Sequence, residues 1–114
     1  MATLEQIRDA AAAQETGYLG LRVADGDYSP GDWLDCSRVW DDGEPTEEIL
    51  DGTCAIGLDS LRLDDDGAIE AALRLTRIYS GSNLLLIAGP SRIEGQDDGE
   101  IILRDARVIA VWPR

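Results

Sequence analysis

A chain of 114 residues with 23 acidic side chains against 10 basic ones, every basic one an arginine, carries a net charge of −13 and contains no histidine. That length suits one acidic α+β domain spanning 1–114, able to bury about 65 % of the surface that its unfolded chain exposes. The sign of the charge argues against direct nucleic-acid binding and adsorption to anionic membranes, which need a basic footprint, and leaves a basic partner, a metal ion or nothing charged at all.

Thr3-Leu-Glu-Gln6 fits a capping box, in which the Thr3 hydroxyl and the Gln6 side chain satisfy free backbone donors at a helix start. A helix from Leu4 to Glu15 is expected to follow, with Leu4, Ile7 and Ala11 on one face and Gly17 as its stop. Tyr18 to Val23 reads as a strand, and Ser29-Pro-Gly-Asp32 as a turn preset by Pro30 and Gly31. A short strand from Trp33 to Trp40 carries Cys36 and Ser37 and closes at Asp41-Asp-Gly-Glu44. Thr46 then caps a short helix, Glu47 to Leu50, whose acids favour the positive end of the helix dipole.

Thr53 to Leu58 is the next strand, and Leu61 to Leu63 a loop or edge strand. Asp64-Asp-Asp-Gly67 precedes the second main helix, Ala68 to Tyr79, with Ile69, Ala72, Leu73, Thr76 and Tyr79 as its apolar stripe and Gly81 as its stop. Three β-rich runs end the chain: Leu84 to Ala88, Glu100 to Leu103 and Arg107 to Trp112. They read as neighbouring strands, with the Leu84 run as partner for the other two. The fold class expected is α+β, a mostly antiparallel or mixed sheet of five or six strands with two main helices and one short helix. Asp-Asp-Gly recurs at 41–43, 65–67 and 97–99, which is ordinary tight-turn chemistry.

No run of 18 apolar residues and no basic-then-apolar leader pattern occurs, so a cytoplasmic location is the expectation. In a reducing compartment Cys36 and Cys54 read as buried thiols, with a disulfide between them as the alternative. Missing histidine removes Ser-His and Cys-His catalysis, and two cysteines alone do not assemble a structural zinc set. Counted from Asp25, a calcium loop finds Asp27 and Ser29 in ligand places. It then meets Pro30 where glycine belongs and Cys36 where a bidentate glutamate belongs. No metal or other cofactor is expected from these patterns.

Leu84 to Gly89 together with Gly95 to Trp112 resembles the closing part of small ADP-ribosyltransferase-like domains, where an apolar strand, an acidic loop and a Glu-led strand end the fold. The resemblance implies a split sheet gripping NAD. Its site residues would be Arg22 within Tyr18-Leu-Gly-Leu-Arg22, Ser37 within Cys36-Ser-Arg38, and Glu100 within Asp98-Gly-Glu100. The chain departs from that pattern in three ways: Arg22 follows its glycine, no Ser-Thr-Ser triplet occurs, and Asp98 stands where Glu or Gln is usual.

Charge patterning gives the other functional expectation. Between Asp25 and Asp66 lie fourteen acids and only Arg38 and Arg62. A domain of this size spans roughly 35 Å, over which duplex DNA at one charge per ~1.7 Å carries on the order of 20 charges, and the net charge of −13 comes within a factor of about two of that. In size and charge the chain is similar to small acidic phage-encoded inhibitors, including anti-CRISPR and anti-restriction proteins. The leading expectation is a non-enzymatic DNA mimic that occupies the basic surface of a nucleic-acid-binding complex. Its contact residues would be Asp41, Asp42, Glu44, Glu47, Glu48, Asp64, Asp65 and Asp66, with Trp33 and Trp40 as anchors.

Overall fold

Two helices, an open, wholly antiparallel six-stranded sheet and a separate two-stranded ribbon make up the described regular structure. The computed structural model describes residues 2–14, 17–34, 40–41, 44–45, 53–58, 65–94 and 99–114. The expected short helix at Glu47 to Leu50, the strand interior carrying Cys36 and Ser37, and the Leu61 to Leu63 segment lie outside these residues.

Helix α1 covers Leu4–Ala12, and both halves of the Thr3/Gln6 capping box are formed. Ile7 and Ala11 are its buried face. Strand β1, Tyr18–Ala24, follows after Gly17, whose φ of +92° takes the left-handed conformation that side chains disfavour. The Ser29–Asp32 turn closes as expected, with the Asp32 amide donating to the Ser29 carbonyl at 3.1 Å and Gly31 at φ +97°. A two-stranded ribbon, β2 (Trp40–Asp41) with β3 (Glu44–Pro45), pairs Asp41 with Glu44, and the two residues between them lie outside the described ones.

Strand β4, Thr53–Leu58, and helix α2, Asp66–Thr76, complete the middle of the chain. The helix begins two residues earlier than the sequence suggests. Asp65 supplies the N-cap, its carboxylate accepting from the Ala68 amide at 3.2 Å, so Asp66 and Gly67 already belong to the first turn. It also ends earlier, with Arg77 as the C-cap, leaving Tyr79 44 % exposed beyond the apolar stripe. Gly81 is therefore not the helix stop. A β-carbon there would lie 2.4 Å from Val23 Cγ1, so the glycine serves close approach of the α2–β5 loop to β1.

The remaining strands are β5 (Asn83–Gly89), β6 (Ser91–Glu94), β7 (Glu100–Arg104) and β8 (Arg107–Pro113). Sheet order is β6-β7-β4-β1-β5-β8. This corrects the expectation of neighbouring C-terminal strands. Only β8 pairs with β5, whereas β7 pairs with β4 and β6 on the other side of β1. Strand β6 was not foreseen at all. The sheet curls strongly enough for a two-residue link, Asp105-Ala106, to join β7 to β8. Asp105 adopts φ +50° in that link, the one positive-φ non-glycine among the described residues.

Each face of the curled sheet has its own core. Leu19, Leu21, Ile56, Leu58, Leu84 and Leu86 pack beneath α1 and α2 with Ile7, Ile69 and Ala72. On the concave side Ala55, Leu85, Ile87, Ile101, Leu103 and Val108 pack on one another. Small residues make the curl possible: a β-carbon on Gly20 would lie 2.8 Å from Ala55 Cβ, and one on Gly57 2.9 Å from Ile101 Cγ2. Ile101 thus folds over the paired glycines of β1 and β4.

Candidate functional site

The sheet is split for part of its length. Strand β1 pairs with β4 only at Leu19–Leu21 against Leu58–Ile56. Beyond that point β1 continues to Ala24 bonded to β5, while β4 runs back to Thr53 bonded to β7. A cavity of about 210 Å³ lies at this divergence, lined by Leu21, Arg22, Val23, Ala55, Thr76, Tyr79 and Glu100. Each half-sheet contributes one charge: Arg22 comes from β1 and Glu100 from β7.

The register explains how these two residues meet. Leu21 pairs with Ile56, and Ile56 with Glu100, so Glu100 stands two strand spacings, roughly 10 Å, from Leu21 and adjacent to Arg22's level. Directly paired residues share a face, which places Glu100 on the helix side with Leu21 and Ile56. Arg22 alternates to the concave side, so the two charges reach the opening from opposite faces. Both residues are half-buried. The helix side is closed by Thr76 at the end of α2, whose hydroxyl donates to the Leu73 carbonyl at 2.6 Å, and by Tyr79 in the turn that follows.

Of the three residues singled out by the ADP-ribosyltransferase resemblance, Arg22 and Glu100 therefore share a cavity, and Ser37 lies outside the described residues. The volume falls below the ~300–1,000 Å³ common for drug-sized and cofactor sites, so a whole dinucleotide does not fit inside. No group of three or more metal-ligating side chains converges among the described residues.

The acidic contact set divides differently. Trp33 is 66 % exposed and forms an isolated antiparallel bridge with Arg107, whose guanidinium carbon lies 5.2 Å from the Trp33 ring centroid. Backbone bonds fix this segment: Gly31 and Leu34 amides donate to the Val108 and Ala106 carbonyls, and the Val108 amide donates to Asp32. Trp33 consequently stands on a rigid edge of the sheet. It borders a groove of about 560 Å³ with Gln14, Pro90, Asp105 and Arg107.

Asp65 is committed to capping α2, and Asp66 forms an ion pair with Arg8 of α1 that joins the two helices. Trp40, Asp41 and Glu44 are placed in the β2–β3 ribbon by their backbone. Asp42, Glu47, Glu48 and Asp64 lie outside the described residues. Sequence reasoning missed Arg107 and the groove. The only signal was an arginine opening an apolar strand, and nothing local connects it to Trp33.

Compared with known proteins, the chain matches no family model, no curated protein and no solved structure. Its described class is thus given by its own geometry: an open, split, antiparallel sheet under two helices. No helix among the described residues is long and apolar enough to cross a membrane.

Proposed function

We propose that the protein is a non-enzymatic binding module that docks its acidic surface on a basic, nucleic-acid-binding protein surface, in the manner of phage-encoded anti-CRISPR or anti-restriction inhibitors. The observation that carries this reading is the pairing of a −13 net charge with a two-thirds exposed Trp33, held by backbone bonds and lying within the acid-rich sequence from Asp25 to Asp66. Arg8–Asp66 and Arg92–Glu94 are ion pairs between described residues.

The dimensions suit mimicry. The body measures 39 × 27 × 25 Å, and duplex DNA of that long dimension carries on the order of 20 phosphate charges. Tryptophan is among the residues that most often dominate an interface, because a large rigid ring buries much area at little entropic cost. Long-range attraction sets the approach and Trp33 anchors the bound state. The proposal is tested by stopped-flow association with the partner at rising ionic strength. The association rate should fall steeply, since exposed charges are screened within about 8 Å at physiological salt. A rate independent of salt would remove the electrostatic account.

A further inference from the structure

We propose that the groove beside Trp33 is a binding site for a neutral sugar, one or two pyranose rings with equatorial hydroxyls. This goes beyond the docking reading and does not rest on it: the two share Trp33, but sugar binding is read on the chain alone, with no protein partner present.

The fold builds the groove and fixes the ring that borders it. The Leu34 amide donates to the Ala106 carbonyl, and Trp33 bridges to Arg107, so the Trp33 segment is tied along the β7–β8 link and the start of β8. The described lining includes the Trp33 ring, Pro90 and the side chains of Gln14, Asp105 and Arg107. Trp33 is 66 % exposed with the Arg107 guanidinium carbon 5.2 Å from its ring centroid, so the face turned away from Arg107 is open to solvent. Such a ring, positioned by backbone bonds rather than by packing, is a preformed platform for flat apolar ligand surface.

Charge and hydrogen bonding narrow the class. A net charge of −13 repels ligands that carry phosphate or carboxylate. The groove itself is balanced, with one acid, Asp105, and one base, Arg107, in its described lining. A neutral ligand rich in hydroxyls suits both, because a hydroxyl donates to Asp105, accepts from Arg107 and does either with the Gln14 amide. Arg107 keeps its contact with the ring meanwhile, since a guanidinium has several N–H donors. A pyranose with equatorial hydroxyls joins the two requirements: hydroxyls around its rim and C–H bonds on its flat faces. Asp105 adopts φ +50°, which glycine takes more readily, so its carboxylate is presented at the groove at a conformational cost.

The dimensions agree. At about 560 Å³ the groove falls within the ~300–1,000 Å³ usual for small-ligand sites. A second hollow of about 260 Å³ shares Gln14 and Arg107 and continues along Pro30, Gly31 and Ile109, which gives a second ring its place.

The test titrates the full chain with cellobiose, two β-linked rings with equatorial hydroxyls, and with sorbitol, an open-chain polyol that has hydroxyls but no ring face. The wild-type readout is the indole N–H resonance of Trp33, and variants are compared by titration calorimetry. The expected result is a saturable shift with cellobiose and none with sorbitol at equal hydroxyl concentration. Trp33→Ala should weaken cellobiose binding about tenfold or more, and Trp33→Phe, which keeps a ring, by less. Asp105→Gly, which takes φ +50° without strain, should weaken binding about threefold or more without lowering the unfolding temperature. No saturable response to cellobiose would overturn the proposal, as would an equal response to sorbitol or undiminished binding by Trp33→Ala. Tighter binding of a phosphorylated hexose than of cellobiose would also overturn it, in favour of an anion site. The wild-type comparison of cellobiose with sorbitol decides the matter by itself, so a variant that fails to fold leaves the proposal falsifiable.

Discussion

A β-carbon placed on Gly89 would lie 2.5 Å from the carbonyl oxygen of Arg104, although β1 and β4 stand between the strands that carry the two residues. On a flat sheet the separation would be about 14 Å, three strand spacings. This contact records how tightly the sheet curls, and it brings the end of β5 against the β7–β8 link.

Gly89→Ala should therefore destabilise the fold by about 1–3 kcal/mol, the usual cost of forcing atoms into a filled region, because the obstructing atom is backbone and does not swing away. Gly31→Ala provides the contrast. Its β-carbon would meet nothing within 4 Å, so the cost there arises from φ +97° alone, about 1 kcal/mol. Urea denaturation of both variants, with unchanged slopes, separates steric from conformational strain.

Asp65 has two assignments that substitution can part. As the cap of α2 it should cost about 1 kcal/mol when changed to alanine and little when changed to asparagine, an equally good cap. As a member of the acidic docking surface it should lose partner association rate in both variants. Chemical denaturation reads the first role and stopped-flow mixing the second.

Trp33→Ala should change stability by no more than about 0.5–1 kcal/mol, since the ring is largely exposed and its contact with Arg107 is a surface cation–π pair. Its effect on the complex should be larger, at about 2 kcal/mol, and should appear in the dissociation rate rather than in the association rate. Surface plasmon resonance against the captured partner distinguishes these.

The local features of the fold were legible because local chemistry specifies them. Thr3 and Gln6 name a helix start, Pro30 and Gly31 name a turn, and the β-branched runs name β1, β4, β5 and β8. Two features were not. The four residues Ser91–Glu94 are too short and too charged to show a period, and they form an edge strand of the kind that charged side chains protect from further pairing. The partner of β7 was misjudged because proximity in sequence favoured β5, whereas the curl allowed Ile101 to fold over Gly20 and Gly57. The same nonlocality hid Arg107 from Trp33. Arg22 and Glu100 were singled out by a family resemblance, but it is the divergence of β1 from β4, invisible in either strand alone, that gives them a common cavity.

The central claim, that the acidic surface occupies a nucleic-acid-binding site, is tested most directly by competition. The protein is immobilised, exposed to bacterial lysate at low salt, and the retained material is challenged with duplex DNA and, separately, with rising salt before identification by mass spectrometry. The account predicts a basic nucleic-acid-binding protein or complex released by both. Retention of a species that duplex DNA does not displace, or of none at all, would contradict it and leave the charge as a solubility device.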